Sequence, residues 1–500
     1  MRIGRLNGSR RAPSDGLRLG APGVRVAAGL LAVATTAAAC GSGAAPARKA
    51  SAASGGSGPV GPTSWTVDAS NPAHNADFPA SPLGAVKWNY REPLATPLNQ
   101  PPLGTSVVGR LRASVRITQT VGNALGVSIV GSTLYAETDS GSLFALDART
   151  GKLLWTYRAT NSLMGNPIVV GGRVFVGTGN SNWSFRELVN YKAGLPIQRG
   201  TGQNEILALS AAKGKVLWSY PTRFEDMPTP TYLDGNVYEA TGGGRMLALD
   251  SASGKLVFST QVGGFDSMSS PVAWTTPSGT PLVYASFSGP DQVVAVNAKT
   301  GAIAWRGTIP GSFNTSVSDE VLALDPSTGQ LIANALTYPS SPSPNSAPTV
   351  DARVVSFDAA TGAVQWNASL GRGPLPAAFK AGVPMVHGGV IYMNDPAGDV
   401  MHAISESTGK VLWKIKTHFP GRAAPTFDRG TLYFADGPFV YAVDPATGKI
   451  LKRTKLGGLF GIVNPVIVGK TLFMDSSYSW VLARPLAAVA PPSHAGATKG

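Results

Sequence analysis

One short phrase recurs along this chain. LFALDARTGKLLW at 143–155 returns as ILALSAAKGKVLW at 206–218 and as MHAISESTGKVLW at 401–413, with weaker copies between and after. Aligned on the turn glycine, the copies sit at Gly151, Gly214, Gly254, Gly301, Gly362, Gly409 and Gly448, spaced by 63, 40, 47, 61, 47 and 39 residues. Short apolar strands alternating with Gly turns at a period of about 40–50 residues specify the blades of a propeller. The two long intervals carry insertions, the polar segment 180–204 and the Pro/Ser-rich segment 338–352. The 60 Gly and 39 Pro, against only 14% charged residues, suit such a turn-rich, all-β chain.

Ahead of each turn stands another hairpin, as in TLYAETDSGSLFALD, NVYEATGGGRMLALD and VIYMNDPAGDVMHAIS. Gly, Asp or Asn at its centre supplies the positive φ that such turns need. Pieces such as NPIVVGG, TPTYLDG and APTFDRG read as a first strand, which makes four strands per unit. The last unit, 461–484, stops after three. AVKWNYR at 85–91 has the pattern of an outermost strand, with Trp88 in the place of the repeat Trp. Joining these ends closes a ring and removes the exposed sheet edges. The outer strands then centre on Trp88, Trp155, Trp218, Phe258, Trp305, Trp366, Trp413 and Leu451. The expectation is an eight-bladed β-propeller of four-stranded antiparallel blades over 81–484, with PSTG at 326–329 as an inner hairpin of one blade. Segment 91–120 is expected to form an irregular cap, and 485–500 a disordered tail.

The repeat builds the wall. Gly at the turn adopts a backbone that other residues reach only at a cost. Asp147, Asp250 and Asp444 can accept turn amides. A large, flat Trp can pack on the Gly turn of a neighbouring blade. Trp88, Trp155, Trp218, Trp305, Trp366 and Trp413, with Gly151 and Gly214, therefore read as docking residues. The pattern Ala-x-Asp-x-x-Thr-Gly-x-x-x-Trp, matched at 145–155, 208–218, 295–305, 403–413 and 442–448, resembles the quinoprotein-type (PQQ-repeat) β-propeller family over about 85–484. That resemblance implies the fold. For function it implies two branches: dehydrogenases using pyrroloquinoline quinone (PQQ), and cofactor-free binding propellers such as the outer-membrane-protein assembly lipoprotein of Gram-negative bacteria.

The N-terminus reads as an address. Residues 1–25 hold six Arg, VAAGLLAVA at 26–34 is a short apolar segment, and TTAAAC follows. This is the order of a secretory signal. Ala37-Ala38-Ala39 before Cys40, the chain's single cysteine, resembles a bacterial lipobox, which implies a signal over 1–39 and a diacylglyceryl anchor on Cys40. The Ala/Gly/Ser/Pro stretch that follows is read as a flexible tether over 40–80. The formal charge of +14 is spread thinly, and no Lys/Arg run with interleaved aromatics suggests a nucleic-acid partner.

Two functional readings arise. In the resemblance, Gly177-Thr-Gly-Asn-Ser-Asn-Trp183 is similar to a segment of PQQ alcohol dehydrogenases. There Asn180 would be a Ca²⁺ ligand, Trp183 would line the cofactor site, and Asp226 of RFEDMPTP would be the catalytic base. Against this, no cysteine remains in the fold for the vicinal disulfide those enzymes share. Asp226 also has a repeat counterpart in Asp266, and Glu137 is the nearest second acid. The five His are scattered, and no phosphate loop or GxSxG elbow is present. The second reading starts from the crossover loops, each with a central Phe: Phe224, Phe265, Phe313, Phe379, Phe419 and Phe460. Placed at one mouth with Asp226, Asp266 and Arg422, they would form an apolar funnel for a peptide or another envelope protein. The favoured expectation is a non-catalytic, membrane-anchored binding module outside the cytoplasm with no cofactor. The alternative is a PQQ- and Ca²⁺-dependent dehydrogenase of an alcohol or sugar.

Overall fold

The repeats fold as eight sheets around a ring in the computed structural model, which describes residues 58–91, 124–180, 184–193, 195, 197–266, 268–288, 292–309, 322–338, 349–376, 382–419, 421–458, 460, 464–476 and 480–492. Cys40, Trp183, Phe313, Phe379 and the expected cap at 92–120 lie outside these residues. Blades 1 to 7 occupy 124–158, 168–222, 231–261, 272–308, 323–374, 385–416 and 426–455, each with four antiparallel strands. Blade 8 takes its inner three strands from Val466–Val468, Thr471–Ser476 and Trp480–Pro485. Its outer strand is Trp88–Arg91, with Trp88 opposite Ala483. The 326–329 turn joins two inner strands of blade 5, as its sequence predicts.

The docking contact repeats around the ring. Trp155 lies on Gly214 of blade 2 and donates its indole N–H to Ala211 O at 2.9 Å. The same pair of contacts joins Trp88 to Gly151 and Ala148 O, Trp218 to Gly254 and Ser251 O, Trp305 to Gly362 and Ala359 O, Trp366 to Gly409 and Glu406 O, and Trp413 to Gly448 and Pro445 O. Blade 3 carries Phe258, which has no N–H. The hydroxyl of Thr260 donates to Gly301 O instead, at 2.5 Å. Each indole thus buries a large apolar surface and satisfies its one polar atom at the same place.

The chain ahead of the first blade is no tether from residue 58 onward. Its composition is loop-like, yet it runs round the inside of the ring and bonds the innermost strands in turn. Val60 N reaches Gly131 O of blade 1, Trp65 exchanges both backbone bonds with Val169 of blade 2, and Tyr232 N of blade 3 donates to Thr66 O. Leu324 N, Val386 N and Ile467 N of blades 5, 6 and 8 donate to Pro72 O, Ala73 O and Ala76 O. Asp77–Phe78 then adds a parallel fifth strand to blade 8. Trp65 is fully buried and anchors this collar. The start of the expected C-terminal tail is also packed. Leu486–Ala488 forms a 3-10 turn, and Leu486, Val489 and Ala490 join the core around Phe460 and Met474. Apolar residues at both ends find inner-strand surface to cover, which local composition does not reveal.

Gly214 has φ +63°, and a Cβ there would lie 2.4 Å from the Trp155 ring. Gly214→Ala is expected to cost about 2–4 kcal/mol, combining left-handed strain with displacement of the indole. Gly235→Ala, at φ +89° with open space around it, should cost about 1 kcal/mol. Urea unfolding of the two variants checks this, and equal losses would mean that the docking contact contributes little.

Candidate active site

Where each crossover loop descends to the next inner strand, the second strands meet it with polar side chains. In register, the residue two places after the inner aromatic is Glu137 in blade 1, Asn334 in blade 5, Asn394 in blade 6 and Asp475 in blade 8. Gly165 N donates to Glu137 Oε1 at 2.6 Å, and Asn394 Nδ2 donates to Ala423 O at 3.1 Å. Asn334 Nδ2 donates to Gly382 O, and Asp475 is buried with neither carboxyl oxygen hydrogen-bonded. In blades 2 and 3 this position is Gly177 and Ala240. The space they leave lets the loops bring acids inward. A Cβ on Gly177 would lie 2.1 Å from Asp226 O, and Asp226 N donates to Thr178 O at 3.0 Å. In the next blade, Asp266 N donates likewise to Thr241 O at 3.1 Å.

The result is a buried acidic group on the side of blades 1 to 4. Asp226 is 0% exposed. Its Oδ2 accepts from Thr222 Oγ1, while Oδ1 has no protein partner. Burial holds its carboxyl well above the usual range. Glu137 is pushed up to about 8 by burial, against the Gly165 amide. Glu239 is also pushed well above its ordinary range, by burial first and then by the negative fields of Asp226, Asp266 and Glu137. Beside them Arg199 Nε stands 3.4 Å from Glu225 Oε1. From the collar, Asp68 accepts from Asn166 Nδ2 and from Thr229 Oγ1. Among the described residues no group of three or more His, Cys, Asp or Glu is arranged to hold a metal ion. The chemistry on offer is that of carboxyl groups whose protons burial holds more tightly than usual.

Sequence reasoning placed Asp226 and Asp266 here, and it missed Glu239. The residue one place after the inner aromatic is Ala136, Val176, Ala285, Ala333, Met393, Phe434 and Met474 in the other blades. In blade 3 it is Glu239, and the break is visible in NVYEATGGG once the blades are aligned.

Asn180 is engaged by the inserted segment. Its Oδ1 accepts from Thr201 N and Oγ1, and its Nδ2 donates to Thr201 O at 2.7 Å and Asn161 Oδ1 at 3.1 Å. It pins the inserted segment, so the asparagine of the Gly-Thr-Gly-Asn motif takes part in loop packing. The described Phe residues do not rim an open funnel. Phe265 and Phe460 are fully buried, Phe224 covers Gly243, and Phe419, 40% exposed, covers Gly437. Phe224 and Phe419 thus lie on hairpin turns of the following blades. Arg422 is half-buried, with its carbonyl accepting from Val383 N at 2.7 Å.

Comparison with known proteins identifies the lineage. A family model described as outer membrane protein assembly factor BamB matches residues 65–266, 181–318 and 350–488. The structure of quinohemoprotein alcohol dehydrogenase from Comamonas testosteroni superposes with a TM-score of 0.51 at 14% identity, over 78% of this chain and 79% of that one, a likeness of fold alone. Two relatives match nearly end to end. Tetrathionate hydrolase of Acidithiobacillus ferrooxidans is 38% identical over 85% of this chain and 87% of its own. Tetrathionate hydrolase of Acidianus ambivalens is 34% identical over 86% and 85%. These two overturn the expectation of a non-catalytic binding module, because both are named as enzymes. The repeat that carried the expectation is shared by every branch of the fold and says nothing about the bore. The chain belongs to the PQQ-repeat β-propeller family and, within it, to the tetrathionate hydrolases.

Proposed function

We propose that this protein hydrolyses tetrathionate, with the buried carboxyl group of blades 1 to 4 as its acid–base machinery. The observation that carries the reading is the near full-length match to two tetrathionate hydrolases. Tetrathionate is a dianion with a sulfonate at each end of a disulfane. Water attacks one inner sulfur, an O–S bond forms, and the central S–S bond breaks with its electron pair leaving on thiosulfate. The other product is the monoanion HO–S–SO3, and one proton is released. The step is redox-neutral and needs no electron acceptor.

The site has two tasks in this chemistry. It must take a proton from water, and it must not repel a dianion. A carboxylate whose basicity is raised by burial is a stronger base than an exposed one. Neighbouring carboxyls that stay protonated add hydrogen-bond donors for sulfonate oxygens without adding charge. Asp226 is the residue we assign as base, since it sits on a crossover loop with Oδ1 unpartnered. It is closed to solvent in this structure, so substrate access requires the crossover loops to part. The signal-like N-terminus and Cys40 fit an enzyme that works outside the cytoplasm on an acyl anchor, which labelling of wild type and Cys40→Ser with a fatty-acid probe would test.

Purified protein should release thiosulfate from tetrathionate, and Asp226→Asn should lower kcat by about a hundredfold or more while folding normally. Chelators should leave the rate unchanged. If the folded protein releases no thiosulfate, or if alcohol-dependent dye reduction appears with PQQ and Ca²⁺ instead, the reading fails.

Stability should fall as pH rises. Glu137 at about 8, Asp475 at about 7 and Asp77 at about 7 all stand above their unfolded values, with burial as the first cause of each. Between about pH 4 and 8 the unfolded chain has lost these protons and the folded chain retains them. Each group then removes about 1.4 kcal/mol per pH unit until its folded value is passed. His402, lowered to about 4 by burial, opposes this only below its ordinary 6.5. Tm measured from pH 4 to 8 should decline, and Glu137→Gln should decline less steeply. A flat or rising Tm would contradict the assigned protonation.

A further inference from the structure

Glu239 is a costly residue for the fold to carry. Seven blades bury an apolar side chain at its position, and blade 3 buries a carboxyl that is 1% exposed. Neither of its oxygens has a hydrogen-bond partner. Leaving a buried polar group unpaired is costly, and leaving an ionised one unpaired far more so. Propeller geometry does not require it, since Ala at the same place supports blades 1, 4 and 5. What distinguishes blade 3 is its neighbours. Asp226 on the loop from blade 2, Asp266 on the loop to blade 4 and Glu137 on blade 1 all act on Glu239 through their charge. Arg199 pairs with Glu225, 3.4 Å away.

We propose that Glu239 is a positioning residue that gates the charge of the hydrolytic site, admitting sulfur-oxyanion dianions only while it holds its proton. This rests on the tetrathionate hydrolase reading and goes beyond it by assigning a specificity role to a residue that needs no contact with substrate. The physical argument is the repulsion of like charges in a medium of low polarity. One ionised carboxyl, Asp226, gives the site its base. A second, from Glu239, would set two negative charges against a substrate that already carries two. Desolvation first, and then the three neighbouring acids, oppose the ionisation of Glu239. Its ionisation then closes the site to dianions from the alkaline side.

The test uses thiosulfate, the dianionic product, as probe. Its Kd for the full-length protein is measured by calorimetry across the alkaline range, in wild type, Glu239→Gln and Glu239→Asp. Wild type and Glu239→Asp should lose affinity as pH rises. Glu239→Gln should lose less, with Glu137 still present to ionise, so that the ratio of wild-type to Glu239→Gln Kd grows by about tenfold or more. A constant ratio would overturn the gate. The kcat and KM for tetrathionate should divide likewise, with the alkaline loss in KM. A loss confined to kcat would mean that Glu239 reacts rather than gates, and would also overturn it. Glu239→Ala restores the residue type of three other blades, so it should fold and exceed wild type in Tm at pH 8. If it is less stable there, Glu239 is a structural residue and the proposal falls. Thiosulfate binding and Tm are read without turnover. A protein that fails to hydrolyse tetrathionate therefore refutes the functional reading alone, and a flat Kd ratio refutes the gate alone.

Discussion

A propeller blade has two apolar faces and cannot cover either by itself. What makes the ring a stable object is the indole laid on the next blade's turn glycine, with its N–H fixed to a carbonyl of that turn. Because the neighbour lies within a Cβ's distance of the ring, the contact accepts only Gly. Because the indole N–H has its acceptor there, a buried aromatic brings no polar debt. Blade 3 shows what is interchangeable: Phe258 keeps the face, and a threonine hydroxyl replaces the lost donor. With the circumference held this way, the residues around the bore are released from structural duty.

That release is used on the side of blades 1 to 4. Gly177 and Ala240 are small where blades 1, 5 and 6 carry hydrogen-bonding side chains, and crossover loops lower acids into the gaps. Burial does the chemical work. It removes the water that would stabilise a carboxylate, and it sets several such groups within reach of one another, so each raises the others. The fold is destabilised by this arrangement at neutral pH, and the repeated docking contacts offset the loss.

Most of the architecture was legible because it is written in repeats. The turn glycines counted the blades, Trp88 with the truncated last unit revealed the closure, and the 326–329 turn was assigned to the blade that contains it. What escaped lay in single copies. Trp65 in a Gly/Ser/Pro-rich stretch looks like a linker residue until the inner strands of other blades supply its partners. Leu486 and Val489 looked like a tail for the same reason. Asn180 suggested a metal ligand because Gly-Thr-Gly-Asn resembles one. Its side chain proved to be spent on Thr201 and Asn161. The Phe residues were read from a true periodicity, but Phe224 and Phe419 lie on hairpin turns of the following blade and Phe265 and Phe460 are buried. Glu239 was readable only as a departure from a column of apolar residues, and that column needs the strand register to be known.

The collar ties the molecule's beginning to its end. Residues 60–78 bond the inner strands of blades 1, 2, 3, 5, 6 and 8, and Trp88–Arg91 completes the last blade. These contacts span almost the whole chain, so the eighth blade and the collar's contacts with it cannot form until the final strands have been made. A chain built in this way stays open throughout synthesis. It can be threaded through a membrane before it closes, and the last strand to emerge locks the first.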